Sequence, residues 1–399
     1  MRLRGFHLAG LAAALAGAGA ASNAQAADLT VSTSTTTPVV TSNANGGPGN
    51  VTVSSTGTIT VTTGQTAVTV DSNNNVSNAG ILTSNDANNS TGIHLLAGHN
   101  GTITNTGSIN LVESYVLTDT DSDGNLDGAF ATGLNRNGIL LDGVGTFTGD
   151  ITSSGPITIE GQNSAAIRLD SLLTGNLTST GVISLTGENS TAIAINGGAG
   201  HGVTGNVIIR GSVDVRGQNS SGLQVNAPIG GQLRINGGWS VTGFHSTTVP
   251  ADQSTLDPED LLIGGPAIGI HYSVAGGVTI EGIGVEDDVD DDGDGQTEAQ
   301  GDTNDDNSAN IASIGSSPAL LIQSDPSANL VLGPIATGTG AGYGLDIRGS
   351  VSSAGAFDNI GATTILLQGS AGATVSTSNG IVIDGVVTTS AVEADAYGL

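Results

Sequence analysis

Between Gly155 and Gly243 one short unit is written about three and a half times. It reads GPITIEGQNSAAIRLD, then GVISLTGENSTAIAIN, then GSVDVRGQNSSGLQVN, and starts again as GGWSVTG. Ile157, Ile183, Val213 and Trp239 fall at equivalent places, spaced by 26, 30 and 26 residues. A second apolar pair follows in each copy: Ile167 and Leu169, Ile193 and Ile195, Leu223 and Val225. Asp170, Asn196 or Asn226 closes each pair, and a shorter third segment (GNLTST, GNVIIRG, GQLRIN) comes next. A repeat of this length is the signature of a solenoid, because one unit cannot bury its apolar side except against its neighbours.

The alternation within each segment has period 2, which is the period of a strand. The residue between each apolar pair varies freely: Thr158, Ser184, Asp214 and Ser240 in one segment, Arg168, Ala194 and Gln224 in the other. Only a position facing water accepts both Asp and Thr, or both Arg and Ala. Gly, Asn and Asp gather at the segment ends, where a sharp turn needs positive φ. Three short strands per repeat, each stacked on its equivalent, give an all-β parallel β-helix of roughly 25–30-residue coils, taken as right-handed, the commonest form. A β-sandwich is the structural rival, but it has no need of equivalent positions at a fixed period.

Composition narrows the function. The chain has 399 residues and no cysteine; 36 acidic residues face eight basic ones, all arginine, for a net charge of −28. No basic patch exists to release counterions from a nucleic acid, and an anionic membrane surface is disfavoured for the same reason. Five Phe, four Tyr and one Trp argue against an aromatic-lined sugar site. The first 26 residues have the form of a secretory signal: a basic start (MRLRGFH), an apolar run from Leu8 to about Ala21, and Ala24-Gln25-Ala26 as the cleavage site. The expected location is therefore exported, at the cell surface, in the outer membrane or outside the cell.

Residues 27–80 are rich in Thr, Ser and Asn and read as a leader with irregular first coils or a cap. Regular coils are expected over 81–399, interrupted by insertions near 113–135, 244–264 and 286–310. Insertions in a solenoid emerge at its corners and often carry function.

Two insertions contain the one motif with defined chemistry. The first holds Asp119, Asp121, Asp123, Gly124, Asn125 and Asp127; the third holds Asp288, Asp290, Asp292, Gly293 and Asp294, with Glu298 close by. Oxygen ligands at alternate positions before a Gly resemble the front half of a Ca²⁺ loop, in which a short segment wraps several hard oxygens around the ion. Neither is a full EF-hand: its twelfth position is Phe130 in one and Ala299 in the other. Ca²⁺ is the expected ion, and a solvated acidic loop is the plainer alternative.

Catalytic patterns are sparse. His94, His99, His201, His245 and His271 show no metal-ligand spacing, and no G-x-S-x-G elbow is present. Arg210, Arg216 and Arg234 lie in neighbouring coils and read as outward residues on exposed strands. The expectation is a protein that is not an enzyme and has no catalytic or cofactor-binding residues.

The signal-like start, the Thr/Ser/Asn/Gly-rich coils with NSxGIxL-type rungs, the missing cysteine and the D-x-D-x-D-G insertions together resemble the passenger of a bacterial autotransporter. That resemblance covers roughly Ala27 to Leu399. It implies a surface stalk or adhesin and an outer-membrane β-barrel translocator as partner, on the same longer chain or separate. No barrel pattern of aromatic-girdled strands is present here. Ala396-Tyr397-Gly398-Leu399 repeats the rung opening Gly342-Tyr343-Gly344-Leu345, so continuation of the natural chain is expected. A secreted β-helical carbohydrate-active enzyme, a lyase or hydrolase, is the alternative. A cluster of acids on one face of consecutive coils would favour it.

Overall fold

The structure is a computed structural model and describes residues 28–120, 126–249, 252–282 and 308–399. The signal-like segment lies outside the described residues, as does most of the third insertion.

Three long parallel sheets run the length of the molecule. Sheet A has eleven strands, from Leu29–Val31 to Ile381–Ile383. Sheet B also has eleven, from Ser34–Thr35 to Val386–Val392, and sheet C has ten, from Val39–Val40 to Ile365–Gln368. The chain visits A, B and C in turn and then starts the next coil, so each strand pairs with its equivalent one coil away. This is a parallel β-helix: among the described residues every pair of strands is parallel, the isolated antiparallel bridge Thr118–Asp127 lying in the first insertion, and that removes the sandwich. Eleven strands about 4.8 Å apart make a rod roughly 48 Å long.

The equivalences read from the repeat are the pairing register. Ile157 lies opposite Ile183, Ile183 opposite Val213, and Val213 opposite Trp239. Ile167, Ile193 and Leu223 stack in the same way on sheet C. All of these are buried in one continuous core, and the residues between them face outward. A fourth buried column runs up the corner between sheets C and A: Phe147, Leu173, Val203, Ile229, Val274 and Leu332. It is held mainly by isolated bridges, one residue per coil, so it leaves no alternation in the sequence. The bore also holds polar groups that satisfy one another. Asn78 Nδ2 donates to Asn105 Oδ1 at 2.7 Å, and Asn105 Nδ2 donates to Ser153 Oγ at 3.0 Å.

Corner chemistry explains the repeated letters. Each copy opens with Gly where sheet A turns into sheet B; a Cβ on Gly155 would sit 1.8 Å from the carbonyl oxygen of Gly107. The Asn of each QNS or ENS takes a left-handed conformation, φ 52° at Asn163, 53° at Asn189 and 56° at Asn219, which Asn tolerates better than most residues. The following Ser joins coil to coil: Ser164 N–H donates to Ser190 Oγ and Ser190 N–H to Ser220 Oγ, both at 3.0 Å.

Stacking starts earlier than the repeat spacing indicates. The strand Leu29–Val31 already pairs with Val51–Val53, although that first coil spans only 22 residues against 30 between Leu177 and Val207. The short coils keep the register while losing the length match, which is why residues 27–80 read as irregular.

Candidate functional site

The first insertion leaves sheet B after Val112 and rejoins sheet C at Asn137. The second leaves sheet B after Thr242 and rejoins sheet C at Ile268. Both therefore rise from the same B–C corner, while the third falls between Ile280 of sheet A and Asn310 of sheet B. Residues far apart in the chain are brought side by side.

The base of the first insertion is clamped by charge. Arg136 occupies the corner place that Ser164 holds in the next coil, its own N–H donating to Ser164 Oγ at 2.9 Å. Its guanidinium is fully buried. Nε donates to the Ala87 carbonyl at 2.8 Å, Nη1 donates to the Glu160 carbonyl, and Nη1 pairs with Glu113 at 3.4 Å. Glu113 in turn accepts from Thr132 N–H at 2.7 Å and Gly133 N–H at 2.6 Å, closing the loop at its root. A buried arginine is stable only because carbonyls and a carboxylate replace its water.

Above this root the insertions touch. Phe130 stacks on His245 of the second insertion with ring centroids 4.3 Å apart, and its N–H donates to Glu188 Oε1 at 2.7 Å. Gly128 N–H donates to Glu259 Oε2 at 3.1 Å. From there the second insertion runs along the rod. Phe244 meets Phe357 edge to face at 4.9 Å, and Gln253 exchanges two 3.0 Å hydrogen bonds with Asp358. It is a strap tying the first insertion to a coil well along the rod. Tyr115, Val116, Leu126 and Val249 are exposed on these two insertions.

The sequence-predicted metal ligands divide between described and undescribed residues. Asp119 is exposed. Asp127 is buried and its Oδ2 accepts from Thr120 N–H and, at 2.6 Å, from Thr120 Oγ1, a bond that closes the loop on itself. The backbone matches this, with Asp127 N–H donating to the Thr118 carbonyl at 3.1 Å. Asp121, Asp123, Asn125, Asp288, Asp290, Asp292, Asp294 and Glu298 lie outside the described residues. Among the described residues no three His, Asp or Glu side chains converge as a metal site.

A second charged cluster, on the outside of sheet A, joins residues that looked unrelated. Arg210 and Arg234 both pair with Glu281, Arg210 Nε at 3.2 Å and Arg234 Nε donating at 2.5 Å. On the adjoining strand Asp346 sits 3.2 Å from Arg348 Nε. Gly340 lies over Asp346, whose Oδ1 is buried with no hydrogen-bond partner. Burial pushes the Asp346 carboxyl above the usual carboxylate range, against the pull of Arg348. Arg216, by contrast, is on sheet B and makes a loose, exposed pair with Asp214 at 3.7 Å. The sequence signal for this cluster was weak: Glu281 and Asp346 are separated by an insertion and share no motif.

The histidines scatter. His94 Nε2 donates to Asp142 Oδ1 at 2.7 Å on the face of sheet C. His201 Nδ1 donates to the Gly197 carbonyl at 2.7 Å, and burial holds His271 below the ordinary histidine range. The chain has been compared with models of known families, with curated proteins and with solved structures, and none of them matches it.

Proposed function

We propose that this chain is the exported, surface-displayed passenger of an autotransporter-like protein, acting as a stiff stalk or adhesin. The observation that carries the reading is the coil-to-coil stacking of three parallel sheets over a rod roughly 48 Å long, with two insertions welded together along one corner. Such a rod sets a distance and presents an edge. Its rows of Thr, Ser and Asn keep its faces hydrated with few basic residues. An outer-membrane β-barrel translocator is the proposed export partner, and Ca²⁺ is the proposed ordering ion for the two acidic insertions.

Protease shaving of intact cells of the native host tests display. Release of fragments from residues 28–399 while the cell envelope stays intact is the expected result; full protection would sink the reading. Calcium is tested separately by melting the protein in Ca²⁺ and in chelator, with Asp121→Ala/Asp290→Ala as control. An identical curve in all conditions leaves the loops as solvated decoration.

One observation favours a second reading. Glu281, directly after the strand Val278–Ile280, and Asp346, on the adjoining strand, have unlike environments, the first ion-paired with arginines and the second driven toward its neutral form. Paired carboxyl groups of this kind serve acid–base chemistry in glycoside hydrolysis. Reducing-sugar release from polysaccharides, abolished by Glu281→Gln, would move the assignment to a carbohydrate-active enzyme.

A further inference from the structure

On the outside of sheet C one column of side chains can be followed from coil to coil: His94, Leu140, Arg168, Ala194 and Gln224. Neighbours in it are about 4.8 Å apart. Four of the five are long and Ala194 is a methyl group, so the column has a gap. The gap is a depression of about 220 Å³. Ala194 and Ala165, both buried, line it, together with Arg168, Thr191, Asn163 and Asn189.

Two polar residues lining the gap are committed: Ser164 Oγ donates to the Gln162 carbonyl at 3.0 Å, and Asn196 Nδ2 donates to Asp170 Oδ1 at 2.9 Å. The other four keep hydrogen-bonding groups open. Arg168 Nε donates to Asp170 Oδ2 at 2.7 Å, but among the described residues no acceptor meets its Nη groups. Asn189 Oδ1 accepts from Asn219 Nδ2 at 3.2 Å, which leaves its own Nδ2 free. The Thr191 hydroxyl and the Asn163 carboxamide have no protein partner among the described residues. Gln224 is held by Ser221, its Nε2 donating at 3.0 Å.

We propose that this depression binds a single neutral sugar ring. The volume falls below the roughly 300–1,000 Å³ of drug-sized sites, which suits one ring and no more. The small side chains of Ala194 and Ala165 leave room for the ring, and the open amide, hydroxyl and guanidinium groups of Asn163, Asn189, Thr191 and Arg168 meet its hydroxyls. Asp170 neutralises Arg168, and a chain of net charge −28 repels acidic ligands, so the neutral class is selected. No aromatic ring is needed, and the affinity is correspondingly weak. This site goes beyond the display role and stands whether or not the chain is exported.

The test is saturation-transfer NMR on the mature full chain with a panel of neutral methyl hexosides, run in chelator to exclude calcium effects. Ala194→Gln fills the gap with a long outward side chain, and its melting curve checks that the coil keeps its fold. The expected result is millimolar binding of at least one hexoside, weakened about tenfold or more by Ala194→Gln. Thr191→Val, at the edge of the depression and harmless to the core, weakens it about threefold. Absence of transfer from every neutral hexoside overturns the proposal. So does equal binding by Ala194→Gln with unchanged melting, or a preference for acidic over neutral sugars.

Discussion

The coils between Gly155 and Gly243 and the insertion-bearing B–C corner are held together by opposite means. In the coils the core and turn contacts are repeated: Ile167, Ile193 and Leu223 do one job three times, as do Ser164, Ser190 and Ser220. Where the two insertions meet, nothing repeats. A single buried Arg136, one Glu113 and one Phe130–His245 stack fix two loops distant in sequence. The coils spread stability over equivalent nearest-neighbour interfaces. The corner concentrates it in groups whose loss strands a buried charge.

The sharpest way to break this comparison is Arg136→Met. It leaves Glu113 buried without its cation, and a loss of about 3–5 kcal/mol in urea unfolding is expected. A near-neutral outcome would mean that the corner is as redundant as the coils. Ile193→Ala in the core should cost about 2–5 kcal/mol, with Ile167→Ala similar, since both sit fully buried in one column. Very unequal values would show that the coils are not equivalent after all. Asn189→Ala should cost less, about 1–2 kcal/mol, because alanine resists the left-handed φ of 53°.

The smallest effect expected is a pH dependence at the sheet A cluster. The folded-state pKa of Asp346 is raised, so the native state holds its proton more tightly than the unfolded chain does. That contribution is complete below the ordinary value of 3.8 and is lost as pH rises through the raised pKa. Asp346→Asn removes the titration. Its stability relative to the native chain should therefore improve as pH rises above about 4. A flat difference between pH 3 and 7 would show that Asp346 ionises as easily folded as unfolded.

Reading the sequence recovered the fold at the level of single residues wherever a contact is periodic. Ile157–Ile183–Val213–Trp239 is both a row of letters and a register. The same reading expected insertions wherever that period lapses. It did not reveal the column through Phe147 and Val274, which has one residue per coil and so no alternation. Nor did it reveal the union of Arg210, Arg234 and Glu281, which join across coils of unequal length. Arg136 was hidden for a related reason: a buried arginine in one coil replaces a serine in the next, and no pattern announces a single exception.

What the sequence determined by itself is the solenoid, its inward and outward rows, and the turn residues. Those follow from alternation, from period and from the conformations open to Gly and Asn, all of which are local. What only the tertiary structure decided is which one-off groups meet. Glu113 finds Arg136, Phe130 finds His245, and Ala194 opens a gap between Arg168 and Gln224. Such meetings depend on how many residues each coil spends at its corners, and coil stacking alone converts that count into distance.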